Sequence, residues 1–337
     1  MNVNRSVFLG ASAGAGLAAA LPLGAFAAPS PAGFRGEPEQ KTLKIGIAVP
    51  DVAYWPFYVA SSQGIWKNEG LDVQLITFSG DASVGQALAG GSVDINAASL
   101  VGLLNVLQAG QPVRAISAVA EQAVFSFVGN SKIKSWSDLK GGTFGVASYG
   151  SMTAAMDTAA MAQHGLVVDR DVQLVQTGGS PNAYAALASG QLSASGFSLP
   201  YALMAKTAGM HFLGSQVTVT GSHWPAEVVY MKQDFIASKP RTISAFMRGL
   251  AIADKVIATQ PSVAILSLQS AMKLEPAIAA ASYSIVKNTF LPRGQFPADM
   301  SKVWQTLIVA KTVTAPVPMS KWLDSTWIDN YALWMPR

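Results

Sequence analysis

The sequence predicts a two-lobed α/β fold, each lobe a mostly parallel sheet flanked by helices, with a ligand crevice between the lobes. Three observations predict it. DVQLITFSGDASVGQALAGGSVDINAASL (Asp72–Leu100) returns 99 positions later as DVQLVQTGGSPNAYAALASGQLSASGFSL (Asp171–Leu199), without a gap and identical at 11 of 29 positions. The same offset pairs GIAV (Gly46–Val49) with GVAS (Gly145–Ser148). A repeat of this length is one supersecondary unit used twice, and a crevice between such units is where small ligands usually bind. Second, short apolar runs alternate with helical stretches, as in parallel strands joined by helices. Third, EVVYM (Glu227–Met231) follows the second copy and reads as a return to the first lobe.

Taken in order, residues 1–27 read as a signal peptide, with Arg5, an Ala/Gly/Leu-rich run from Val7 to Leu23 and the A-x-A site Ala25-Phe26-Ala27. Residues 28–40, rich in Pro, Ala and Gly, read as a disordered tether. Residues 41–124 form the first part of lobe 1: strand Leu43–Val49, helix Pro56–Glu69, strand Val73–Ile76, helix Ser83–Ala89, strand Val93–Asn96, helix Leu100–Gln108 and strand Val113–Ala120. Residues 125–222 form lobe 2. Phe125–Gly129 crosses into it, and strand Thr143–Ala147, helix Met152–His164, strand Val172–Gln176, helix Asn182–Ser189 and strand Leu192–Gly196 repeat the pattern before a last strand within His211–Thr220. Residues 223–337 return to lobe 1 and continue as helices, where Trp304, Trp322, Trp327 and Trp334 are expected to pack.

Composition narrows the function. The 337 residues carry a net charge of +4, only 12% are charged, and no basic run or basic helix stands out, so a nucleic-acid partner is not expected. With no Cys, disulfides, thiolate metal sites, a Cys nucleophile and a Cys-linked lipid anchor are all excluded. His164, His211 and His223 lack metal-ligand spacing, and no G-x-S-x-G, H-E-x-x-H, Walker or EF-hand motif occurs. No metal, cofactor or catalytic residue is assigned.

YWPFYVASSQGIWKNEGLDVQL (Tyr54–Leu75), QALAGGSVDINAAS (Gln86–Ser99), QAGQPVRAIS (Gln108–Ser117), SWSDLKGGTFGVASYGS (Ser135–Ser151) and AALASGQLSA (Ala185–Ala194) resemble the periplasmic solute-binding proteins of ABC importers. The nearest branch is the one for nitrate, sulfonate, taurine and thiamine precursors. The resemblance implies the type II periplasmic-binding-protein fold and periplasmic location. It also implies a monomer that closes by a hinge on a small solute and delivers it to permease subunits in the inner membrane. Pyrimidine synthases share the fold but carry a Cys-rich iron motif that this chain lacks; a sensory ligand trap would use the same binding chemistry.

In open α/β sheets the ligand lies beyond the carboxyl ends of the strands. That rule selects Asp51, Tyr54 and Trp55 after the first strand, then Ser79, Gly80 and Asp81, and then Ser99. In lobe 2 it selects Ser148, Ser151 and Thr153, then Gly179 and Asn182, and then Ser198 and Tyr201. Gln122 and Trp224, with Glu121 and Glu227, lie near the crossings between lobes. Gly lets a ligand approach the backbone, and helix N-termini offer N–H groups to anions. Ser151 and Asp81 also suit simple helix capping. The crevice loops contain Asp51 and Asp81 but no Lys or Arg, which weighs against a bare inorganic anion. The favoured solute is an organic one with an anionic or polar head, of sulfonate or taurine type, and a heteroaromatic solute is the alternative. A buried carboxylate needs a partner, which for Glu121 or Glu227 could be an amine on the ligand.

Overall fold

The computed structural model describes residues 31–120, 125–221, 224–225 and 227–335, and among them ten strands divide into two five-stranded sheets. In chain order they are β1 (Thr42–Ile47), β2 (Asp72–Thr77), β3 (Ile95–Ser99), β4 (Val113–Ala118), β5 (Phe125–Gly129), β6 (Gly142–Val146), β7 (Val172–Gln176), β8 (Ala194–Ser198), β9 (His211–Ser215) and β10 (Glu227–Lys232). The lobe 1 sheet has the order β2-β1-β3-β10-β4, and the lobe 2 sheet β7-β6-β8-β5-β9. Each sheet is parallel apart from one strand: β10 runs antiparallel to β3 and β4, and β5 antiparallel to β8 and β9. Those two strands are the ones entering from the other lobe, which explains their direction.

The repeat is visible element by element. Helix Asp81–Ala89 has its counterpart in Ser180–Ala188, β3 in β8, and helix Leu100–Gln108 in Leu199–Thr207, each displaced by 99 positions. The repeated glycine has a packing reason. A Cβ on Gly46 would stand 2.5 Å from a Val84 methyl, and one on Gly145 would stand 2.7 Å from a Leu192 methyl. The covering layer rests directly on the strand at both places, leaving no room for a side chain.

The returning chain completes lobe 1. Helix Pro240–Thr259 lies against Trp55–Ser62, and the Trp66 ring stacks on Phe246 at 5.6 Å while its Nε1 donates to the Phe246 carbonyl. Trp304, Trp322, Trp327 and Trp334 are all buried, and Trp327 and Trp334 donate to Ser244 and to the Trp327 carbonyl.

Several boundaries differ from expectation. The helix anticipated over Pro56–Glu69 is two, Trp55–Ser62 and Ile65–Asn68, because Gly64 takes a left-handed φ of 64° between them. The third strand starts later, at Ile95, so its end reaches Ser99 and places that residue at the site. His211–Thr220 is a strand only to Ser215, after which Val217–Thr220 turns helical. The tether is corrected more substantially. Phe34 is fully buried edge-on against Trp327, and Glu39 accepts from the Arg241 and Thr242 N–H groups at the start of the long helix. One aromatic ring and one capping carboxylate anchor a segment whose composition alone reads as unfolded.

Candidate functional site

The two lobes meet with the carboxyl ends of their parallel strands facing each other. The contact is direct: Asn105 Nδ2 donates to the Gly150 carbonyl at 2.9 Å, the Met152 N–H donates to Asp81 Oδ2 at 3.3 Å, and the Trp224 indole N–H points at the Met152 sulfur at 3.1 Å. Gly80 and Gly179 bring backbone up to the opposite lobe. A Cβ on Gly80 would lie 2.9 Å from Ser148 Oγ, and one on Gly179 would lie 3.5 Å from Val49. The lobes are therefore closed. Between them remains a cavity of about 30 Å3, walled by Asp51, Asp81, Ser99 and Glu227 of lobe 1 and by Ser151, Met152 and Thr153 of lobe 2, with Phe125 of β5. A second pocket of about 20 Å3 shares Val49, Asp51, Phe125 and Thr153 and runs on to Gly179 and Ser180. Pockets that take organic ligands run to hundreds of Å3, so a solute enters only with the lobes further apart.

The repeat makes the two walls comparable atom by atom. In lobe 1 Asp81 opens a helix and accepts from the Ser99 N–H at 3.2 Å and from the Ser99 hydroxyl at 2.7 Å. The corresponding residues of lobe 2 are Ser180 and Ser198, and Ser180 Oγ accepts from the Ser198 N–H at 3.2 Å. The brace is conserved in form but a hydroxyl replaces the carboxylate. Ser198 Oγ, fully buried, consequently lacks the carboxylate that Ser99 Oγ has, and the buried Ser148 Oγ is without a partner in the protein. Lobe 1 thus supplies carboxylates and lobe 2 supplies hydroxyls and the N–H groups of a helix start.

Burial governs the electrostatics. It pushes the Asp51 carboxyl up to about 6, against the lowering effects of the Ala53 N–H and of Ser198. Asp81 is raised by burial although Ser99 and the Met152 N–H donate to it. Glu227 is pushed well above the usual carboxylate range by burial and then by the charges of Asp81 and Asp51, with the Tyr54 hydroxyl opposing the shift. Tyr54 Oη donates to Glu227 Oε2 at 2.8 Å, and burial with the Glu227 charge raises that phenol too. No Lys, Arg or His lines either pocket.

The expected residues separate clearly. Asp51, Gly80, Asp81, Ser99, Ser151, Thr153 and Gly179 come together at the pockets. Tyr54 lies behind Glu227, Ser148 behind Gly80, and Tyr201 near Asp51; burial and then the Asp51 charge raise the Tyr201 phenol. Trp224 closes the wall beside Met152. Others serve elsewhere. Trp55 is core: its Nε1 donates to the Ala264 carbonyl at 2.8 Å and its ring meets the edges of Tyr283 and Phe290. A residue on a helix shares a face with the ones three and four positions away, so Tyr54 and Trp55 diverge. Ser79 is exposed and holds its own turn through Ser83, and the exposed Asn182 braces its loop through the Thr177 carbonyl. Ser151 caps its helix by accepting from the Ala154 N–H while donating to the Ser148 carbonyl. Glu121 and Gln122 lie outside the described residues. Phe125, Met152 and Tyr58 were not anticipated. Tyr58 Oη accepts from the Asp51 N–H at 3.4 Å, and its spacing of four from Tyr54 was the available signal.

A family model described as NMT1/THI5 like matches residues 52–264. YtlA of Bacillus subtilis (strain 168), whose name describes it provisionally as a binding protein, is 25% identical over 216 residues, 62% of this chain and 64% of YtlA. The match thus spans less than two thirds of that curated relative. Among solved structures, a protein of Bordetella bronchiseptica RB50 superposes with a TM-score of 0.76 at 25% identity, covering 87% of this chain and 98% of that one. The alkanesulfonate-binding protein SsuA from Xanthomonas axonopodis pv. citri, bound to MOPS, superposes with a TM-score of 0.69 at 18% identity, covering 84% of this chain and 96% of SsuA. At that identity the likeness is one of fold.

Proposed function

Because the chain belongs to the NMT1/THI5-like family, we propose that it is the extracytoplasmic solute-binding component of an ABC importer. It captures a small organic solute by hinge closure and presents the closed form to permease subunits in the inner membrane. The observation that carries this reading is the closed pocket itself, walled by residues of both lobes at the strand ends. The signal-like residues 1–27 support a periplasmic location. The reading assigns no catalytic residue and needs no cofactor.

Closure follows from the geometry. When the lobes come together, Asp81 meets the N-terminus of helix Met152–Gln163, where a carboxylate is favoured by the helix dipole and by an open N–H. A solute between the lobes adds contacts that exist only in the closed form, and it shifts the equilibrium by that difference. A sulfonate or taurine-like head would have to rely on N–H and hydroxyl donors of lobe 2, because no cationic side chain lines the pockets. The heteroaromatic alternative draws on Phe125 of the pocket wall and not on Trp55, which is core.

The test is small-angle scattering of the purified protein with calorimetry on a panel of alkanesulfonates, taurine, nitrate, amines, aromatic acids and pyrimidines. The free protein is expected to be more expanded than the closed form, and to contract with any solute that gives a binding heat. A protein that binds nothing on the panel and keeps one radius of gyration throughout would sink the proposal.

A further inference from the structure

We infer that the solute of this site is a small organic cation, whose protonated nitrogen is held by Asp51 and Glu227 in their shared cavity. The inference rests on the solute-binding reading and names the chemical class that reading leaves open.

Three acids face the closed pocket from lobe 1, and they are not equivalent. Asp81 is satisfied by the protein: it takes the Ser99 N–H, the Ser99 hydroxyl and, across the lobes, the Met152 N–H. Asp51 takes the Ala53 N–H at 2.9 Å, and Glu227 takes the Tyr54 hydroxyl. These two are buried with only neutral donors, next to a third carboxylate and with no Lys, Arg or His on the pocket wall. An ionised carboxylate removed from water is costly unless a counter-charge meets it. The structure therefore closes at neutral pH only if protons are taken up there or a cation arrives with the solute.

Other observations choose among cations and reject anions. Among the described residues no three acidic or imidazole groups gather closely enough to hold a metal ion. Val49, Phe125 and Met152 supply apolar wall for an organic body. Ser198 Oγ, completely buried, stands beside Asp51 and offers that carboxyl another neutral hydroxyl and no counter-charge. The two copies of the repeat differ at this point, with Asp81 matched by Ser180. An anionic head entering the same space would approach Asp51 and Glu227 without a compensating cation.

The experiment uses protein expressed from the full-length sequence and probes matched in shape but not in charge. Benzamidine, benzyl alcohol, benzoate and benzenesulfonate form one series; propylamine, propanol and propanesulfonate form the other. Binding is read by calorimetry and thermal shift at pH 7.5. The cationic member of at least one series is expected to bind tenfold or more tightly than its neutral and anionic partners. Asp51→Asn or Glu227→Gln should remove that preference while leaving a folded protein; two separate variants guard against one failing to fold. An anionic or neutral member that binds while its cationic partner does not overturns the inference and leaves the solute-binding reading standing. If no member binds and the scattering panel above also finds no compaction, both fall.

Discussion

Asp51 shows how much one carboxyl can ask of a fold. It is buried, caps the short turn that follows β1, and has its pKa raised from 3.8 to about 6. The folded protein therefore holds this proton more tightly than the unfolded chain does. The stability Asp51 contributes is present below about pH 4 and is lost as pH rises through 6. The shift amounts to about 3 kcal/mol at neutral pH. Asp51→Asn keeps an acceptor for the Ala53 N–H but removes the charge. Urea unfolding should show the variant matching the parent near pH 4 and exceeding it by up to that amount at pH 7; equal midpoints at both pH values would mean the burial cost is relieved some other way. Asp51, Asp81, Ser99 and Ser151 were readable in the sequence because each sits where a strand hands over to a helix, a local event. Glu227 could be noted only as a carboxylate wanting a partner. Its partner, Tyr54, is 173 positions away, and the pairing depends on which strand lies between β3 and β4. The core position of Trp55 was not legible for a related reason: local sequence does not say which way a helix is rotated about its axis.

At the scale of elements, helix Pro240–Thr259 is the member whose sequence is most tightly constrained by what it touches. Gly249 in its middle would be a weak choice on propensity alone, since Ala favours the helix by about 1 kcal/mol. Here a Cβ would stand 2.2 Å from the Trp66 ring, which is clamped by its hydrogen bond and its stack on Phe246. Gly249→Ala should therefore destabilise, by about 1–3 kcal/mol net, as overpacked cores do. Thermal denaturation checks this, and a rise in melting temperature would show that the Trp66 layer yields easily. The same interface carries the Arg248–Glu69 ion pair at 2.6 Å, partly buried and so better placed than a surface pair. Alternation and periodicity made most elements legible, and the repeat confirmed them twice over. Residues 31–40 were not legible, because Phe34 and Glu39 are isolated signals in a Pro- and Gly-rich stretch and their partners lie 200 and more positions away.

For the whole molecule, the exchanged strands have a consequence for the order in which it can be built. Lobe 2 is contiguous: β5 to β9 follow one another between residues 125 and 215. Lobe 1 begins first but waits, since β3 and β4 both pair with β10, which comes only at Glu227–Lys232. A chain emerging N-terminus first from a ribosome or a translocation channel must keep β1 to β4 waiting while the later lobe is already able to fold. Long-range pairings of this kind are the slow ones, because their loop closure must be met before any reward. Pulsed hydrogen exchange during refolding should find amides of β6 to β8 protected before those of β3 and β4. Simultaneous protection would mean that β1, β2 and β3 already shelter one another without the returning strand. The lobe synthesised first would then be the last to mature, leaving its apolar strands dependent on a chaperone or on speed for as long as the wait lasts.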